Sequence, residues 1–400
     1  MYKRTMAKVL KQVSDSFPVI LVTGPRQVGK TTLLEMCASD NMKYVSLDDL
    51  DVRSLAQNDP GLFIQTYTPP VIIDEIQYAP ELFSYIKIVA DRERKNGLFW
   101  LTGSQKFHLM KGITESLAGR VAVLDLLGLS NAEINSKGEY SKPFLPTNEI
   151  GTTENNKVME VFREIWLGSF PRVIDNPDAR DIFYRSYVQT YIQRDVKDIL
   201  NITDEITFHK FLGAIAARTG QLLNYTDVAR DIGIDNKTVK AWLSVLEASG
   251  LVYLLYPYHT NVTKRIIKTP KLYFLDTGLC AYLTKWTTPE ALEAGAMSGA
   301  IFETYVVSEI LKSYWHNGQE ANLYFYRDTD QKEVDLLIEA NNILYPVEIK
   351  KTATPSKTAT KNFDVLQKLD KKIGKGTVIC LTEKNIPLSS EVIAIPVNNI

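Results

Sequence analysis

Eight consecutive residues, Gly24-Pro25-Arg26-Gln27-Val28-Gly29-Lys30-Thr31, fit the pattern G-x-x-x-x-G-K-[ST] in full, and Thr32 follows them. Glycines at that spacing let a backbone loop wrap a polyphosphate with its N–H groups, and a helix opening at the end of the loop adds positive dipole. Lys30 is then expected at the β and γ phosphates and the Thr31 hydroxyl at a magnesium ion. Further on, Val71-Ile72-Ile73 runs into Asp74 and Glu75. A carboxylate at the end of a buried strand suits the same metal, directly or through water. The next carboxylate is placed to orient or deprotonate a water attacking the γ-phosphate. The chemistry implied is magnesium-dependent ATP hydrolysis, with Thr31 and Asp74 at the metal and Glu75 catalytic. The competing readings are a chance glycine turn and a surface acid.

A second set of reactive residue types lies toward the C-terminus. Glu303 falls in a helical pattern that begins near Ser298, Asp335 in the run Glu333-Val334-Asp335, and Glu348-Ile349-Lys350 closes the next strand-like run. Strand alternation puts Glu348 and Lys350 on one face. The set resembles the PD-(D/E)xK nuclease superfamily, without the proline that would stand before Asp335. That resemblance implies acids converging on a second divalent metal, Mg2+ or Mn2+, held by Glu303, Asp335 and Glu348. Lys350 would activate water or stabilise the attacked phosphate. Ion pairing with no metal is the alternative. Lys351, Lys357, Lys361, Lys368, Lys371, Lys372 and Lys375 make the following segment basic, which suits a DNA or RNA backbone or a solvated helix face.

These residues need elements to hold them. Between 19 and 127, short unalternated apolar runs (Val19–Val22, Tyr44–Leu47, Val71–Ile73, Leu98–Leu101, Val121–Leu124) alternate with helical patterns. Runs of that kind belong to strands covered on both faces, so the fold class is α/β with a parallel sheet over residues 1–135. Residues 136–205 read as a linker and a helical lid rich in aromatics. Residues 206–275 read as a winged helix-turn-helix. Its first helix holds Tyr225-Thr226-Asp227-Val228-Ala229, its turn Gly233, its second helix Asn236–Ser249 and its wing strand Leu251–Leu255. Asn236, Lys237 and Lys240 could meet phosphate or bases, and His259–Lys271 adds Lys264, Arg265, Lys268 and Lys271 beside Tyr256, Tyr258 and Tyr273. Protein–protein packing is the other use of such a module, and Asp227, Asp231 and Asp235 dilute its positive field. Residues 276–400 read as a restriction-endonuclease-like α/β domain.

The chain resembles the AAA+ superfamily, specifically bacterial and archaeal P-loop ATPases fused to a C-terminal domain of unknown function. The marks are GPRQVGKTT, Leu47-Asp48-Asp49, VIIDEIQ, LTGSQ, SLAGR, YIQRD and KLYFLDTGL. The resemblance implies a polar γ-phosphate sensor after the fourth strand, Ser104 or Thr102 with Gln105 in reserve. It also implies an arginine before the fifth strand, Arg120, that acts across a subunit boundary, and therefore a homo-oligomer. An ordinary ion pair is the alternative for Arg120. Arg172 is a candidate lid sensor or a structural residue.

Composition bounds the rest. The 400 residues carry a net charge of −1, which gives no global pull on nucleic acid. No apolar run is long enough for a membrane span, and no secretory signal follows Met1-Tyr2-Lys3-Arg4, so a cytoplasmic protein without a membrane partner is expected. Three widely separated cysteines, Cys37, Cys280 and Cys380, read as small hydrophobes rather than a disulfide framework. The expectation is an ATPase coupling nucleotide state to a nucleic-acid-handling, nuclease-like half. The alternative is a signalling or scaffold ATPase with protein-binding helices and an inert C-terminal domain.

Overall fold

The computed structural model describes residues 1–104, 106–146, 157–192, 204–259 and 269–400. Its first sheet is parallel, in the order β2-β3-β4-β1-β5, from β1 (Val19–Thr23), β2 (Lys43–Ser46), β3 (Val71–Asp74), β4 (Phe99–Gly103) and β5 (Val121–Asp125). Every residue of β1, β3 and β4 is buried, which is why those runs do not alternate in sequence. Ile20, Val22 and Ile72 point to the side of α1 (Met6–Ser14) and α2 (Lys30–Cys37), packing with Met6, Leu10, Leu33 and Leu34. Val19, Leu21 and Ile73 point the other way, to α3 (Leu50–Asn58), α4 (Pro60–Thr66), α5 (Leu82–Glu93) and α6 (Lys106–Ser116). The catalytic candidates sit at the C-terminal ends of these strands, where a parallel sheet leaves its crevice.

After β5 come α7 (Asn131–Ile134), α8 (Val158–Leu167), α9 (Pro171–Asp175) and α10 (Arg180–Tyr187). The aromatics expected in this region form one cluster: the Phe170 ring lies 4.8 to 6.0 Å from those of Phe183, Tyr184 and Tyr187. Then follow α11 (Glu205–Ala216), α12 (Tyr225–Ile232) and α13 (Asn236–Ala248). They pack with a three-stranded antiparallel sheet ordered β6-β8-β7, from β6 (Gln221–Leu222), β7 (Val252–Leu255) and β8 (Lys271–Phe274). The α12–α13 turn is built by Gly233 at φ 81°, and the Asp235 carboxylate caps α13 by accepting from the Lys237 and Thr238 N–H groups.

The chain continues through α14 (Thr277–Leu283) and α15 (Pro289–Ala294) into the long, mostly buried α16 (Ser298–Trp315). This helix packs on a seven-stranded mixed sheet of β9 (Leu323–Arg327), β10 (Glu333–Ala340), β11 (Ile343–Lys350), β12 (Lys372–Ile373), β13 (Gly376–Cys380), β14 (Ile386–Pro387) and β15 (Val392–Pro396). The two strand-like runs that carry Asp335 and Glu348 in sequence are β10 and β11. The runs Gly376–Cys380 and Val392–Pro396, equally β-branched and apolar, extend the sheet beyond what the sequence reading named. In the lysine-rich segment, Lys357–Lys368 forms a 3-10 helix on which Lys357, Lys361 and Lys368 are exposed. Cys280 and Cys380 are buried and Cys37 is half-buried, all as free thiols. No described helix is long and apolar enough to cross a membrane.

Candidate functional site

The glycine-rich loop leaves β1 and closes on the first turn of α2. Gly24 has φ 142°, and a Cβ there would lie 2.0 Å from the Leu126 carbonyl oxygen, so no side chain is tolerated where the loop passes the exit of β5. Gln27 at φ 62° and Gly29 at φ 91° complete the curl. Alternating hands of this kind turn successive N–H groups into a concavity that suits anions. The Lys30 side chain is folded back, its ammonium 3.1 Å from the Gly24 carbonyl oxygen and 2.8 Å from that of Pro25. Neutral carbonyls are weaker partners for an ammonium than a phosphate oxygen, so the loop, the lysine and the helix start all fit a bound polyphosphate. Val28 is buried, while Thr32 is exposed on α2.

Arg4 supports the loop from behind, a role the sequence reading did not foresee. Its guanidinium donates to the Val28 carbonyl at 2.8 Å and the Leu127 carbonyl at 2.8 Å, and pairs with Glu133 at 3.2 Å. Nothing in the sequence ties a residue this far upstream to the loop.

Asp74 gathers three hydroxyls. Thr31 Oγ1 is 3.0 Å from Oδ1, Tyr44 donates to Oδ2 at 3.0 Å, and Thr102 donates to Oδ1. Burial and the Asp74 charge push the Tyr44 phenol up to about 12. Three hydroxyls thus converge on one carboxylate, and Thr31 with Asp74 is the donor set a magnesium ion takes. The Thr102 hydroxyl also accepts from the Glu75 N–H at 3.1 Å. Glu75 holds a left-handed backbone, φ 56° and ψ 45°, which swings its side chain out of the strand line. Its carboxylate accepts from the Gln77 amide and lies 4.0 Å from the Arg26 guanidinium. Of the two sensor candidates, Thr102 makes the direct links to Asp74 and Glu75. The Ser104 hydroxyl is buried without a hydrogen-bond partner among the described residues, and Gln105 lies outside them. Gln77 was legible only as part of VIIDEIQ, and Tyr44 not at all.

Arg120 lies away from this cluster. It stands before β5 and grips Asp91 of α5 with Nε at 2.6 Å and Nη2 at 3.1 Å, about one-third exposed. Within the chain it therefore makes an ion pair, with a further bond to the Ala118 carbonyl at 3.0 Å. Arg172 is exposed on α9. Asp276 of the LDTGL run is structural: it accepts from the Ser169 N–H at 2.7 Å, the Ser169 hydroxyl at 2.8 Å, Tyr184 at 2.9 Å and the Leu279 N–H at 2.7 Å.

The C-terminal acids do converge. Lys350 lies 2.6 Å from Glu348 and 3.4 Å from Asp335, on the shared strand face that alternation requires, and the Ile349 N–H donates to Asp335 at 2.9 Å. Glu303 projects from α16 into the same group, where Lys271 of β8 pairs with it at 3.0 Å and with Glu333 at 2.7 Å, and Tyr273 donates to it at 2.6 Å. Burial, and then the neighbouring Asp335 charge, raise the Glu348 carboxyl to about 7. Burial raises that of Glu303 also, against the pull of Lys271. The group is thus knit by two ammonium ions. Among the described residues no set of three or more His, Cys, Asp or Glu is arranged to hold a metal. Lys271 corrects the reading of a basic surface stretch: it is 4% exposed, inside the protein, and Tyr273 is buried with it. Lys264, Arg265 and Lys268 lie outside the described residues.

Asn236, Lys237 and Lys240 are exposed at the start of α13, with the Lys240 ammonium 5.4 Å from the Tyr225 ring centre. The other end of α13 turns toward the phosphate loop: a Cβ on Gly250 would lie 3.0 Å from Pro25 Cδ.

Comparison with known proteins agrees with the first of these sites. A family model described as an AAA domain matches residues 16–135, and two models described as domains of unknown function (DUF8612 and DUF4143) match residues 159–290 and 298–400. An uncharacterized protein of Mycobacterium tuberculosis is 28% identical over 403 residues, covering 100% of this chain and 84% of the relative. One of Methanocaldococcus jannaschii is 23% identical over 68% of this chain and 65% of its own length. Among solved structures, a Walker-type ATPase of Pyrococcus abyssi aligns at TM-score 0.42 and 14% identity, covering 70% of this chain and 94% of that one. The loop, the Thr31–Asp74 pair on a five-stranded parallel sheet and the matching family model together make residues 16–135 an AAA-type P-loop ATPase domain.

Proposed function

We propose that the chain is a magnesium-dependent ATP hydrolase that works as a homo-oligomer and passes its nucleotide state to the C-terminal half. The observation that carries the hydrolysis is the relay Thr31–Asp74–Thr102–Glu75, in which one threonine hydroxyl links the metal-side carboxylate to the backbone of the catalytic one. Bound magnesium would supply charge compensation for the phosphates. Gly24–Thr32 cradle the polyphosphate, Lys30 leaves the Gly24 and Pro25 carbonyls to pair with it, and Glu75 holds the attacking water and takes its proton. Ser104 lies ready as a further donor, and Arg120 compensates charge in a neighbouring subunit. The test is direct. Lys30→Ala abolishes ATP binding, whereas Glu75→Gln binds ATP and loses about 10²-fold or more in turnover; wild-type turnover in both ends the reading.

The units proposed are an ATPase domain at 1–135, a linker and lid at 136–205, a winged helix-turn-helix at 206–275 and a nuclease-like domain at 276–400. The convergence of Glu303, Asp335, Glu348 and Lys350 supports metal-dependent action on DNA or RNA. Lys271 supports the second reading, an inert domain in a signalling or scaffold ATPase, because its ammonium already neutralises Glu303 and Glu333. Degradation of DNA or RNA with magnesium or manganese, lost in Asp335→Ala and Lys350→Ala, selects the nuclease. Equal behaviour of wild type and variants selects the inert domain.

A further inference from the structure

A cavity of about 810 Å3 lies between α6 and the end of β5 on one side and α13 and β7 on the other. It touches Gly24, the first residue of the phosphate loop, but none of Lys30, Thr31 and Asp74 lines it. Leu127, Val252 and Leu275 give it apolar walls. Trp315, the last residue of α16, stands edge-on to Tyr253 there, with ring centres 6.2 Å apart. Burial pushes the Tyr253 phenol up, and its hydroxyl makes no hydrogen bond among the described residues.

The charge around this cavity has one sign. Glu115 of α6, Asp125 of β5 and Glu247 of α13 line it, and among the described residues no lysine, arginine or histidine does. Glu247 reaches the surface, yet the protein packed around it displaces enough water to push its carboxyl up, and it has no ion pair among the described residues. A second cavity, of about 290 Å3, shares Asp125 and Trp315 with the first, and its other charged residue is Glu320, beyond α16. The two adjoin at Asp125 and Trp315, so carboxylates from four parts of the chain border one trough with aromatic and aliphatic walls.

Carboxylates gathered without cations in a partly desolvated trough select a positive ligand. The same charge repels phosphates, which sets the trough apart from the ATP site and excludes a nucleic-acid strand. The acids also do not close on a single point: among the described residues no three are arranged to hold a metal ion. A linear chain of ammonium groups joined by methylenes meets both features, since each charge finds a carboxylate while the methylenes lie on Trp315, Tyr253 and Leu127. We propose that this trough binds an aliphatic polyamine. Bound there, the polyamine bridges α6 and β5 to α13 and β7 beside Gly24. The site depends neither on ATP hydrolysis nor on nuclease action.

The experiment is isothermal titration calorimetry on the full chain, without nucleotide and at about 0.15 M salt so that long-range attraction is screened. The ligands are spermidine, hexaamminecobalt(III), which carries the same charge with no methylenes, and pentalysine. Wild type is expected to bind spermidine saturably and about tenfold more tightly than hexaamminecobalt(III), because the methylenes bury apolar surface. Glu247→Lys reverses one charge and Ser244→Trp fills the cavity without changing charge. Both positions are exposed, and circular dichroism checks that the fold is kept. Each variant is expected to weaken spermidine binding about tenfold or more. Absence of saturable spermidine binding, equal affinity for hexaamminecobalt(III), or unchanged affinity in both variants overturns the proposal. Saturable binding of pentalysine without spermidine also overturns it, and assigns the trough to a basic protein segment.

Discussion

At the scale of single residues, the site turns on hydroxyls as much as on the expected lysine and carboxylates. Thr102 accepts from the Glu75 N–H and donates to Asp74, so it fixes the left-handed turn that aims Glu75. Replacing it with valine keeps the shape and removes both bonds. Thr102→Val is expected to bind ATP nearly as wild type while losing roughly 10- to 100-fold in turnover. Fluorescent-nucleotide titration beside a phosphate-release assay checks this, and unchanged turnover would return the sensor role to Ser104 alone. Arg120 behaves differently. Its guanidinium donates to the exposed Asp91 through two nitrogens and to the Ala118 carbonyl at 3.0 Å, a surface pair that water screens. Arg120→Ala is expected to lower turnover by about 10³-fold at unchanged ATP affinity. Mixing it with Lys30→Ala should restore part of that turnover, since one subunit supplies the arginine and the other the loop. A mixture no faster than the Arg120→Ala protein alone would refute action across a boundary.

At the scale of elements, the α8–α9 turn and the start of α14 are joined at Asp276, which is buried and fully engaged by four donors from three segments. Gly168 and Gly278 are glycines because a Cβ at either would meet the Tyr184 hydroxyl at 2.3 or 2.2 Å. Asp276→Ala strands these donors, and about 3 kcal/mol of stability should go with them. Urea unfolding followed by circular dichroism measures it; a loss below about 1 kcal/mol would show that the donors find other partners. Legibility in sequence follows from the same physics. The parallel sheet and phosphate loop were readable because β1, β3 and β4 are buried on both faces and because the loop's residue types are dictated by what a phosphate demands locally. Glu348 and Lys350 could be placed together because alternation is also local. The roles of Arg4, Tyr44, Lys271 and Asp276 could not be read, because each depends on a partner brought near only by the tertiary fold. A lysine in a basic stretch looks like surface until two glutamates enclose it.

At the scale of the whole molecule, the phosphate loop and the C-terminal domain share one buried cluster of charge. Arg4 holds the Val28 carbonyl of the loop and pairs with Glu133, which accepts in turn from the Thr5 and Ser130 N–H groups at 2.9 Å. His316, which ends α16, sets Nδ1 3.2 Å from Glu133 and accepts from the Leu127 N–H through Nε2 at 3.2 Å. Side chains that water does not screen therefore tie the phosphate loop to the end of the long helix of the C-terminal domain. The same burial makes the link sensitive to acid. Burial holds the His316 imidazole below its usual range, despite Glu133. Burial opposes ionisation of Glu133, yet His316 and Arg4 hold its carboxyl well below the carboxylate range. For both groups the unfolded chain takes the proton first as pH falls. Stability is therefore lost as pH drops below about 6.5 for the histidine, and further below about 4.5 for the carboxylate. Urea midpoints of wild type should fall between pH 7.5 and 5.5. In His316→Gln the fall over that interval should flatten, because glutamine has no proton to gain, while the loss at lower pH persists. Glu133→Ala leaves Arg4 buried without its partner, and a loss of about 3–5 kcal/mol is expected at neutral pH. If His316→Gln retains the full slope between pH 7.5 and 5.5, the acid sensitivity lies elsewhere and the cluster is only a structural tie.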